Sequence, residues 1–249
     1  MGVPHRVQIF GVHVDALTMD ETVARIVDLI AEGDPVQHCV INAGKVVLMA
    51  DDPELARIVG SCALVNADGQ AVVWAARLLG RPLPERVAGI DLFLRLLALS
   101  EERGYGVYFL GATRDVVEEV VRRVRRRHPR LHIAGAHDGF FDASGEAELC
   151  AEIACLRPQL LFVGMPSPRK EYWLAANLER LGVTFAMGVG GSFDVLAGLT
   201  RRAPLWGQRA GLEWFYRLAQ EPRRMWRRYL VGNTRFLAIV AREPFQRRP

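Results

Sequence analysis

Hydrophobic positions along the chain fall into two kinds of segment that alternate. Short runs that are apolar throughout are separated by helical stretches of about 10–15 residues, and this rhythm predicts repeated strand–helix–strand units. Strands without polar positions are typical of a parallel sheet that is covered on both faces. The predicted strands are residues 7–12, 36–41, 63–66, 106–110, 131–134, 160–164 and 183–189. The predicted helices are residues 19–31, 53–61, 69–79, 90–103, 116–127, 145–156 and 169–181.

This alternation predicts an α/β fold, with a Rossmann-like, mainly parallel sheet flanked by helices. Ligands of such sheets bind at the carboxyl ends of the strands. The rhythm changes near Gly198, after which the sequence predicts only helices, at residues 207–220 and, beyond a break at Pro222, at residues 223–241. We therefore predict a catalytic α/β domain over residues 1–198 and a basic helical C-terminal appendage over residues 199–249.

The appendage carries most of the positive charge. Residues 200–249 hold 12 arginines and three acids, a net charge of +9; the whole chain has +4, which leaves −5 for residues 1–199. A basic tail on a near-neutral body indicates a partner with phosphates or an anionic membrane surface. The alternative is a solvated surface in an arginine-biased chain, since Lys45 and Lys170 are the only two lysines.

Composition narrows the class further. No apolar run approaches the roughly 18 uncharged residues of a membrane-spanning helix, and no signal-peptide pattern precedes the first strand. We therefore expect a soluble or peripheral protein. The cysteines form no CxxC pair and have no histidine at a metal-ligand spacing, which favours buried, reduced side chains in a cytoplasmic protein. They are Cys39, Cys62, Cys150 and Cys155.

One carboxylate and one guanidinium fall on neighbouring loops of the predicted sheet. Asp68 follows the strand at 63–66 and opens the next helix, and Arg86 lies on the proline-bounded loop after that helix. A lone base and a cation at strand ends suggest group transfer from an anionic donor. The alternative role for Asp68 is a helix N-cap, worth about 1 kcal/mol. The two roles are compatible, because a helix N-terminus keeps a carboxylate ionised.

Three further polar side chains follow predicted strands. Asn42 ends the strand at 36–41 and Lys45 lies just beyond it, so both share a rim with Asp68 if the two strands are neighbours. Turn chemistry for Asn42 and a solvated side chain for Lys45 are the alternatives. Lys170 begins the helix after the strand at 160–164, where it could contact a sugar or a phosphate; ordinary helix initiation is the alternative.

A glycine-rich loop follows the last predicted strand and opens a helix. It contains Gly190, Gly191 and Asp194. Small residues let the backbone approach a ligand, and free N–H groups at such a turn suit a phosphate. The alternative is a tight turn with a glycine in the left-handed conformation.

Arginines and aromatic residues are interleaved in the appendage. Arg217, Arg224 and Arg227 share one helical face if the break at Pro222 bends the chain only modestly. Basic and aromatic residues on short helices suit a membrane interface or a phosphate-rich ligand, whereas the alternative is aromatic packing with arginines in water. The arginine run at 122–127 ends a helix, where cations are favoured, and we interpret it as a solvated face without a role in nucleic-acid binding.

Motifs for other chemistries are missing. The sequence has no DxD to hold a metal against a nucleotide diphosphate, no GxSxG or HExxH, and neither GxGxxG nor GxxxxGK[ST]. We therefore expect chemistry without a metal ion or an organic cofactor. Two rival classes stay open: a nicotinamide oxidoreductase on a Rossmann sheet, which the missing GxGxxG disfavours, and a non-catalytic protein that binds a nucleotide or an anionic membrane.

An ordered set of motifs extends along nearly the whole chain and is far more specific than any one of them. The set consists of Asn42, Lys45-Val46-Val47, Ala67-Asp68-Gly69, Glu85-Arg86-Val87-Ala88-Gly89-Ile90-Asp91, Pro168-Arg169-Lys170-Glu171, Gly188-Val189-Gly190-Gly191-Ser192-Phe193-Asp194, Arg202-Ala203-Pro204, Glu213-Trp214-Phe215-Tyr216-Arg217-Leu218, Glu221-Pro222 and Arg227-Arg228-Tyr229-Leu230. With these motifs the chain resembles the WecB/TagA/CpsF family of bacterial glycosyltransferases, glycosyltransferase family 26.

The resemblance implies an inverting, metal-independent transfer of a sugar from a UDP-sugar donor to a polyprenyl-diphosphate-linked saccharide. The reaction would take place at the cytoplasmic face of the plasma membrane, in cell-surface polysaccharide synthesis, by a protein that self-associates. The family's proposed base falls on Asp68, its active-site arginine on Arg86 and its donor-site asparagine on Asn42. The C-terminal arginines that reach the diphosphate and the membrane fall on Arg217, Arg224 and Arg227.

Two positions depart from the family pattern. Val40 stands where members often carry threonine, and Lys170 where they often carry glutamine. Both positions belong to the sugar pocket that the resemblance implies, so the donor sugar is left open between a hexose and an N-acetylhexosamine. The Asn-Ala-Gly-Lys and Ser-Pro-Arg-Lys-Glu-Tyr-Trp forms are more similar to the exopolysaccharide branch, which includes xanthan-type glucosyltransferases.

Overall fold

A central parallel sheet organises the protein. The computed structural model describes residues 5–209, 213–220 and 222–244, with the backbone alone at 205, 209, 214, 217 and 222–229. Over this part of the chain the strands are β1 (Arg6–Ile9), β2 (Val12–Asp15), β3 (Val36–Ile41), β4 (Leu64–Ala67), β5 (Val107–Leu110), β6 (Ile133–His137), β7 (Leu160–Val163) and β8 (Phe185–Gly188). Six of them form one sheet in the order β4-β3-β8-β7-β5-β6. Every pairing in it is parallel, which confirms the predicted α/β class.

Helices cover both faces of this sheet. They are α1 (Met19–Glu32), α2 (Ala43–Asp51), α3 (Pro53–Ser61), α4 (Gln70–Leu78), α5 (Gly89–Arg103), α6 (Arg114–Arg127), α7 (Ala143–Leu156), α8 (Arg169–Asn177) with a 3-10 turn (Leu178–Leu181), α9 (Ser192–Leu196), α10 (Leu205–Arg209), α11 (Glu213–Gln220) and α12 (Pro222–Arg242). The seven helices predicted before residue 198 each begin within two residues of the predicted start. Helix α2 was not predicted, because its short apolar sequence lacks a polar face.

The N-terminal segment differs from its prediction. The apolar run at 7–12 predicts one strand, but the chain turns at Phe10 and Gly11 and forms a separate antiparallel hairpin of β1 and β2. Both turn residues have positive φ angles, 54° and 77°. Such turns are favoured in two-residue hairpins, but a phenylalanine in the left-handed region is uncommon. The sequence therefore contains no residue pattern that predicts this turn.

The hairpin and the C-terminal helix share one core. The rings of Phe10 and Phe236 lie 5.6 Å apart, and both side chains are buried. Glu243 fixes the end of α12, since its carboxylate accepts a bond from the backbone N–H of Phe10 (3.1 Å) and pairs with Arg81 (2.9 Å). The last helix is therefore packed onto the body of the protein at its C-terminal end.

Three of the four cysteines are buried, as expected, and all four are free thiols. The prediction is wrong for Cys155, which is exposed on α7. No helix in the described part of the chain is long and apolar enough to cross a membrane.

Four phenylalanines pack in a second core, separate from the core that the hairpin shares with α12. They are Phe93, Phe109, Phe162 and Phe193. The centroids of the rings of Phe93 and Phe162 are 4.7 Å apart, and Phe193 lies 5.9 Å from both Phe93 and Phe109. All four side chains are fully buried. The ring of Phe193 also packs directly on the backbone after β7, where a Cβ atom at Gly164 would lie only 2.5 Å from it.

We expect Gly164→Ala to lower the free energy of unfolding by about 1–3 kcal/mol, because the added methyl group overpacks a rigid aromatic core. Gly232→Ala is the matched control: a Cβ atom there meets nothing within 4 Å, so the change should be neutral or stabilising by up to about 1 kcal/mol. Chemical denaturation of both variants measures the difference, and equal stabilities would contradict the packing described.

Candidate functional site

The predicted polar residues meet at one edge of the sheet. Asn42 follows β3, Asp68 follows β4, and the glycine-rich loop follows β8. Strand β3 pairs with β4 on one side and with β8 on the other, all in parallel, so the three segments lie side by side at the carboxyl edge. The predicted common rim for Asn42 and Asp68 is thus confirmed.

Asp68 is held by a helix other than the one it precedes. Its carboxylate accepts a hydrogen bond from the backbone N–H of Gly89 (3.0 Å), the first residue of α5. The N-cap of α4 is Gly69, which has no side chain to cap with, so Asp68 is not the N-cap of its own helix, the alternative that we considered for it. The half-buried carboxylate instead faces the positive end of α5, which favours the ionised form that a general base needs.

Close packing fixes the neighbours of Asp68. Gly89 packs near both Val40 and Asp68, since a Cβ atom on Gly89 would lie 3.8 Å from the side chain of Val40 and 4.0 Å from the carboxylate of Asp68. A Cβ atom on Gly69 would lie 3.1 Å from Cβ of Asn42. The side-chain oxygen of Asn42 accepts from the backbone N–H of Lys45 (3.0 Å) and caps α2, a specific form of the turn role considered for it.

Arg86 belongs to a chain of ion pairs around the start of α5. Its guanidinium donates to Glu213 (2.7 Å), the first residue of α11. Arg202 donates to the other oxygen of Glu213 (3.3 Å). It also donates to both oxygens of Asp91 (2.6 and 3.1 Å), in the first turn of α5. Arg86 is only 16 % exposed. Sequence reasoning assigned no role to Glu213, Arg202 or Asp91, which appeared only among the family motifs. The pairs Arg86–Glu213 and Arg202–Asp91 are more than 100 residues apart in the sequence, so no local pattern predicts these contacts.

The two lysines of the chain meet in one buried cluster. Lys45, Lys170 and Glu171 have side chains only 5, 9 and 1 % exposed, and one oxygen of Glu171 pairs with both ammonium groups. The hydroxyl of Ser167 donates to the same oxygen (3.1 Å). Lys45 is therefore not the solvated side chain that one interpretation expected. A Cβ atom at Gly188 would overlap the Lys170 side chain at 2.5 Å, so the glycine leaves room for that lysine.

The charges inside this cluster shift the pKa values of its members. Burial by itself raises the pKa of Glu171, but Lys45 and Lys170 outweigh burial and hold that pKa below its ordinary value. Burial and the charge of Lys45 lower the pKa of Lys170. A hydrogen bond with Cys62 and the nearby ammonium of Lys45 lower the pKa of the Cys39 thiol to about 6. Because both ammonium groups have internal partners, substrate binding by Lys45 and Lys170 stays a prediction.

The remaining predicted residues lie on the glycine-rich loop and on helices α9, α11 and α12. Gly190 has a φ of +49°, and Gly191 precedes α9, so this loop is a tight turn next to β8. Asp194 is half-buried in α9, and its backbone carbonyl accepts from the N–H groups of Leu199 and Thr200. Arg217 lies on α11, and Arg224 and Arg227 lie on α12; their side chains are outside the described structure.

Two other expectations can be compared with the described residues. The arginine run at the end of α6 is exposed, and Arg122 and Arg123 pair with Glu119, which confirms a solvated face. Within the described part of the chain, no group of three or more histidine, cysteine, aspartate or glutamate side chains could hold a metal ion.

An α/β protein with a carboxylate, an amide and a glycine-rich turn at the carboxyl edge of its sheet has the general layout of a nucleotide-using enzyme. The sequence model of the glycosyl transferase WecG/TagA/CpsF family matches residues 7–249 of this chain. The chain belongs to this family and is a glycosyltransferase, which confirms the resemblance read from the motifs.

Similar proteins carry one recurring name, N-acetylglucosaminyldiphosphoundecaprenol N-acetyl-beta-D-mannosaminyltransferase. The protein of that name from Bacillus spizizenii is 35 % identical over 198 residues, which are 80 % of this chain and 76 % of the relative. The one from Bacillus subtilis is 34 % identical over 75 % of this chain and 72 % of its own. The one from Staphylococcus aureus strain MW2 is 31 % identical over 89 % of this chain and 87 % of its own.

His38 is a buried histidine in strand β3, which leads to Asn42. Nε2 of His38 is 3.0 Å from the side-chain oxygen of Asn66, whose amide in turn donates to Thr22 (3.2 Å). The amide orientation makes Nε2 the protonated nitrogen, and Nδ1 is buried without a hydrogen-bond partner among the described residues. Burial accordingly lowers the pKa of His38 to about 4.

This histidine should make stability depend on pH. Unfolded His38 takes up a proton near its ordinary pKa of about 6.5, whereas the folded protein resists protonation down to about pH 4. The free energy of unfolding should thus be fully retained above about pH 6.5 and fall by up to about 3 kcal/mol as the pH drops to 4. Denaturation of wild type and His38→Gln across this range measures the contribution. The exposed His13→Gln should keep the wild-type slope, and an unchanged slope in His38→Gln would contradict the assignment.

Proposed function

We propose that this glycosyltransferase moves a sugar from a UDP-sugar to a polyprenyl-diphosphate-linked saccharide, with inversion at the anomeric carbon and Asp68 as the general base. The observation that carries the proposal is the position of Asp68, an anion fixed by the first N–H of α5 at the sheet edge where ligands of this fold bind. The relatives' name supports the acceptor, since it specifies a saccharide on undecaprenyl diphosphate.

In this mechanism the carboxylate of Asp68 removes the proton from an acceptor hydroxyl. The hydroxyl oxygen forms a bond to the anomeric carbon as the bond from that carbon to the UDP oxygen breaks on the opposite face. The proton passes to Asp68 and the electron pair to the diphosphate, whose growing charge Arg86 and the appendage arginines would stabilise. Asn42 and the turn at Gly190 and Gly191 would contact the donor, beside β3 and β8.

The donor sugar is proposed as a hexose or an N-acetylhexosamine. The relatives transfer N-acetylmannosamine by name. This chain has Val40 beside Gly89, the residue whose N–H binds Asp68, and it has Lys170 in the buried cluster. The resemblance implies a threonine at position 40, and the apolar side chain of Val40 offers no hydrogen bond to a sugar substituent, which supports a donor that differs from that of the relatives.

Residues 199–249 are proposed to bring the site to the cytoplasmic face of the plasma membrane. Exposed large apolar side chains lie along this segment at Leu199, Trp206, Phe215 and Leu230. They accompany the net charge of +9 of residues 200–249. Apolar and basic residues on short helices are the combination that binds an anionic lipid interface.

Replacing the base tests the chemistry. We expect Asp68→Asn to reduce sugar transfer about 10²–10⁴-fold, because the amide cannot accept the proton. A panel of UDP-sugars with a polyprenyl-diphosphate-linked acceptor, assayed for UDP release with and without EDTA, identifies the donor and the metal dependence. Asp115→Asn, an exposed carboxylate in the first turn of α6, is the matched control. Near wild-type turnover by Asp68→Asn would exclude it as the base, and a strict metal requirement would contradict the proposed mechanism.

Replacing appendage arginines tests the membrane role. The double change Arg224→Gln with Arg227→Gln should weaken binding to anionic vesicles about 30-fold at low salt, from roughly 1 kcal/mol for each arginine near the surface. Arg125→Gln with Arg126→Gln removes the same charge from the exposed end of α6 and should leave binding within a few-fold of wild type. Co-sedimentation with vesicles measures both, and an equal loss in the two double variants would count against a specific membrane face.

A further inference from the structure

Glu213 bridges two arginines that come from different parts of the chain. One carboxylate oxygen accepts from Arg86, on the loop before α5, and the other accepts from Arg202, which follows α9. The two guanidinium groups thus grip one anion from two sides. Guanidinium groups also bind the oxygens of a phosphate, because their donor fork can contact two oxygens of a phosphate as it does those of a carboxylate.

The charges of this cluster are balanced only while Glu213 is in place. Arg86 and Arg202 contribute two positive charges, and Asp91 and Glu213 contribute two negative ones. A diphosphate carries more negative charge than the single carboxylate of Glu213, so a diphosphate that replaced Glu213 would leave a smaller excess of negative charge than one that joined the cluster beside it. Arg202 binds both oxygens of Asp91 (2.6 and 3.1 Å), whereas its single bond to Glu213 is longer (3.3 Å), so Glu213 is the carboxylate that can be exchanged.

Arg202 also has an unused donor. Its Nε atom is buried and has no hydrogen-bond partner among the described residues, although both terminal nitrogens are engaged. A carboxylate that uses one oxygen for each arginine leaves this donor unsatisfied. A larger anion with more acceptor oxygens could satisfy it.

We propose that Arg86 and Arg202 form a diphosphate subsite, which the Glu213 carboxylate fills until the diphosphate of a substrate displaces it. Arg202 thereby becomes a substrate-binding residue. Displacement also frees the first residue of α11 from the edge of the site, so binding of the diphosphate is coupled to the position of the appendage. The inference rests on the proposed function, because that function supplies the diphosphate, either from the nucleotide donor or from the polyprenyl acceptor.

Glu213→Gln tests the exchange directly, since it removes the charge but keeps the size of the side chain. In calorimetry, the dissociation constant of UDP from this variant should be about 5- to 30-fold lower than that from wild type. UDP should also inhibit the variant more strongly as a product. UMP, which has one phosphate, should gain less. Glu243→Gln is the matched control, because it removes another appendage carboxylate that pairs with a different body arginine, Arg81. Arg202→Gln should weaken UDP binding.

A second titration with a short polyprenyl diphosphate separates the two sources. Tightening in Glu213→Gln for UDP alone assigns the subsite to the donor, and tightening for the polyprenyl diphosphate alone assigns it to the acceptor. Unchanged or weaker binding of both ligands overturns the exchange and leaves Glu213 as a residue that only orients Arg86. A wild-type protein that binds neither ligand, with no UDP-sugar turnover, is a failure of the proposed function instead.

Discussion

The hydrogen bond from the first N–H of α5 to the carboxylate of Asp68 connects the parts of the site. It joins the end of β4 to the helix that carries Asp91. Asp91 binds Arg202, Arg202 binds Glu213, and Glu213 in turn binds Arg86. A single helix terminus therefore organises a carboxylate for proton transfer on one side and an arginine pair for an anion on the other. The positive end of α5 faces both Asp68 and Asp91, so the two anions are stabilised by the same dipole.

Much of the fold was predictable because the apolar runs mark buried parallel strands directly. The predicted strand at 36–41 has the same bounds as β3, and Asn42 and Asp68 follow neighbouring strands as expected. The hairpin was missed because Phe10 adopts a positive φ angle that its side chain does not favour. Local patterns indicate where strands end, and strand order then decides which of those ends lie together.

The contacts of the site were less predictable than its location. Nothing near Asp68 in the sequence indicates that its partner is Gly89, since this bond depends on how α5 packs across the sheet. Glu213 lies 127 residues from Arg86, and Lys45 lies 126 residues from Glu171. Such pairs arise from tertiary packing, and a single sequence contains no local pattern that reports them. The family motifs pointed to most of these positions without giving the partner of any.

The buried lysine cluster gives the chain an unusual chemical property. Lys45 and Lys170 are the only lysines of the sequence and therefore its only side-chain amines. Both are buried against Glu171. Amine-directed reagents act on accessible amines, and both lysine side chains are buried in the folded protein. The rate at which these two amines become labelled thus reports how often the contact between α2 and α8 opens, and it provides a built-in probe of the sheet edge without any engineered residue.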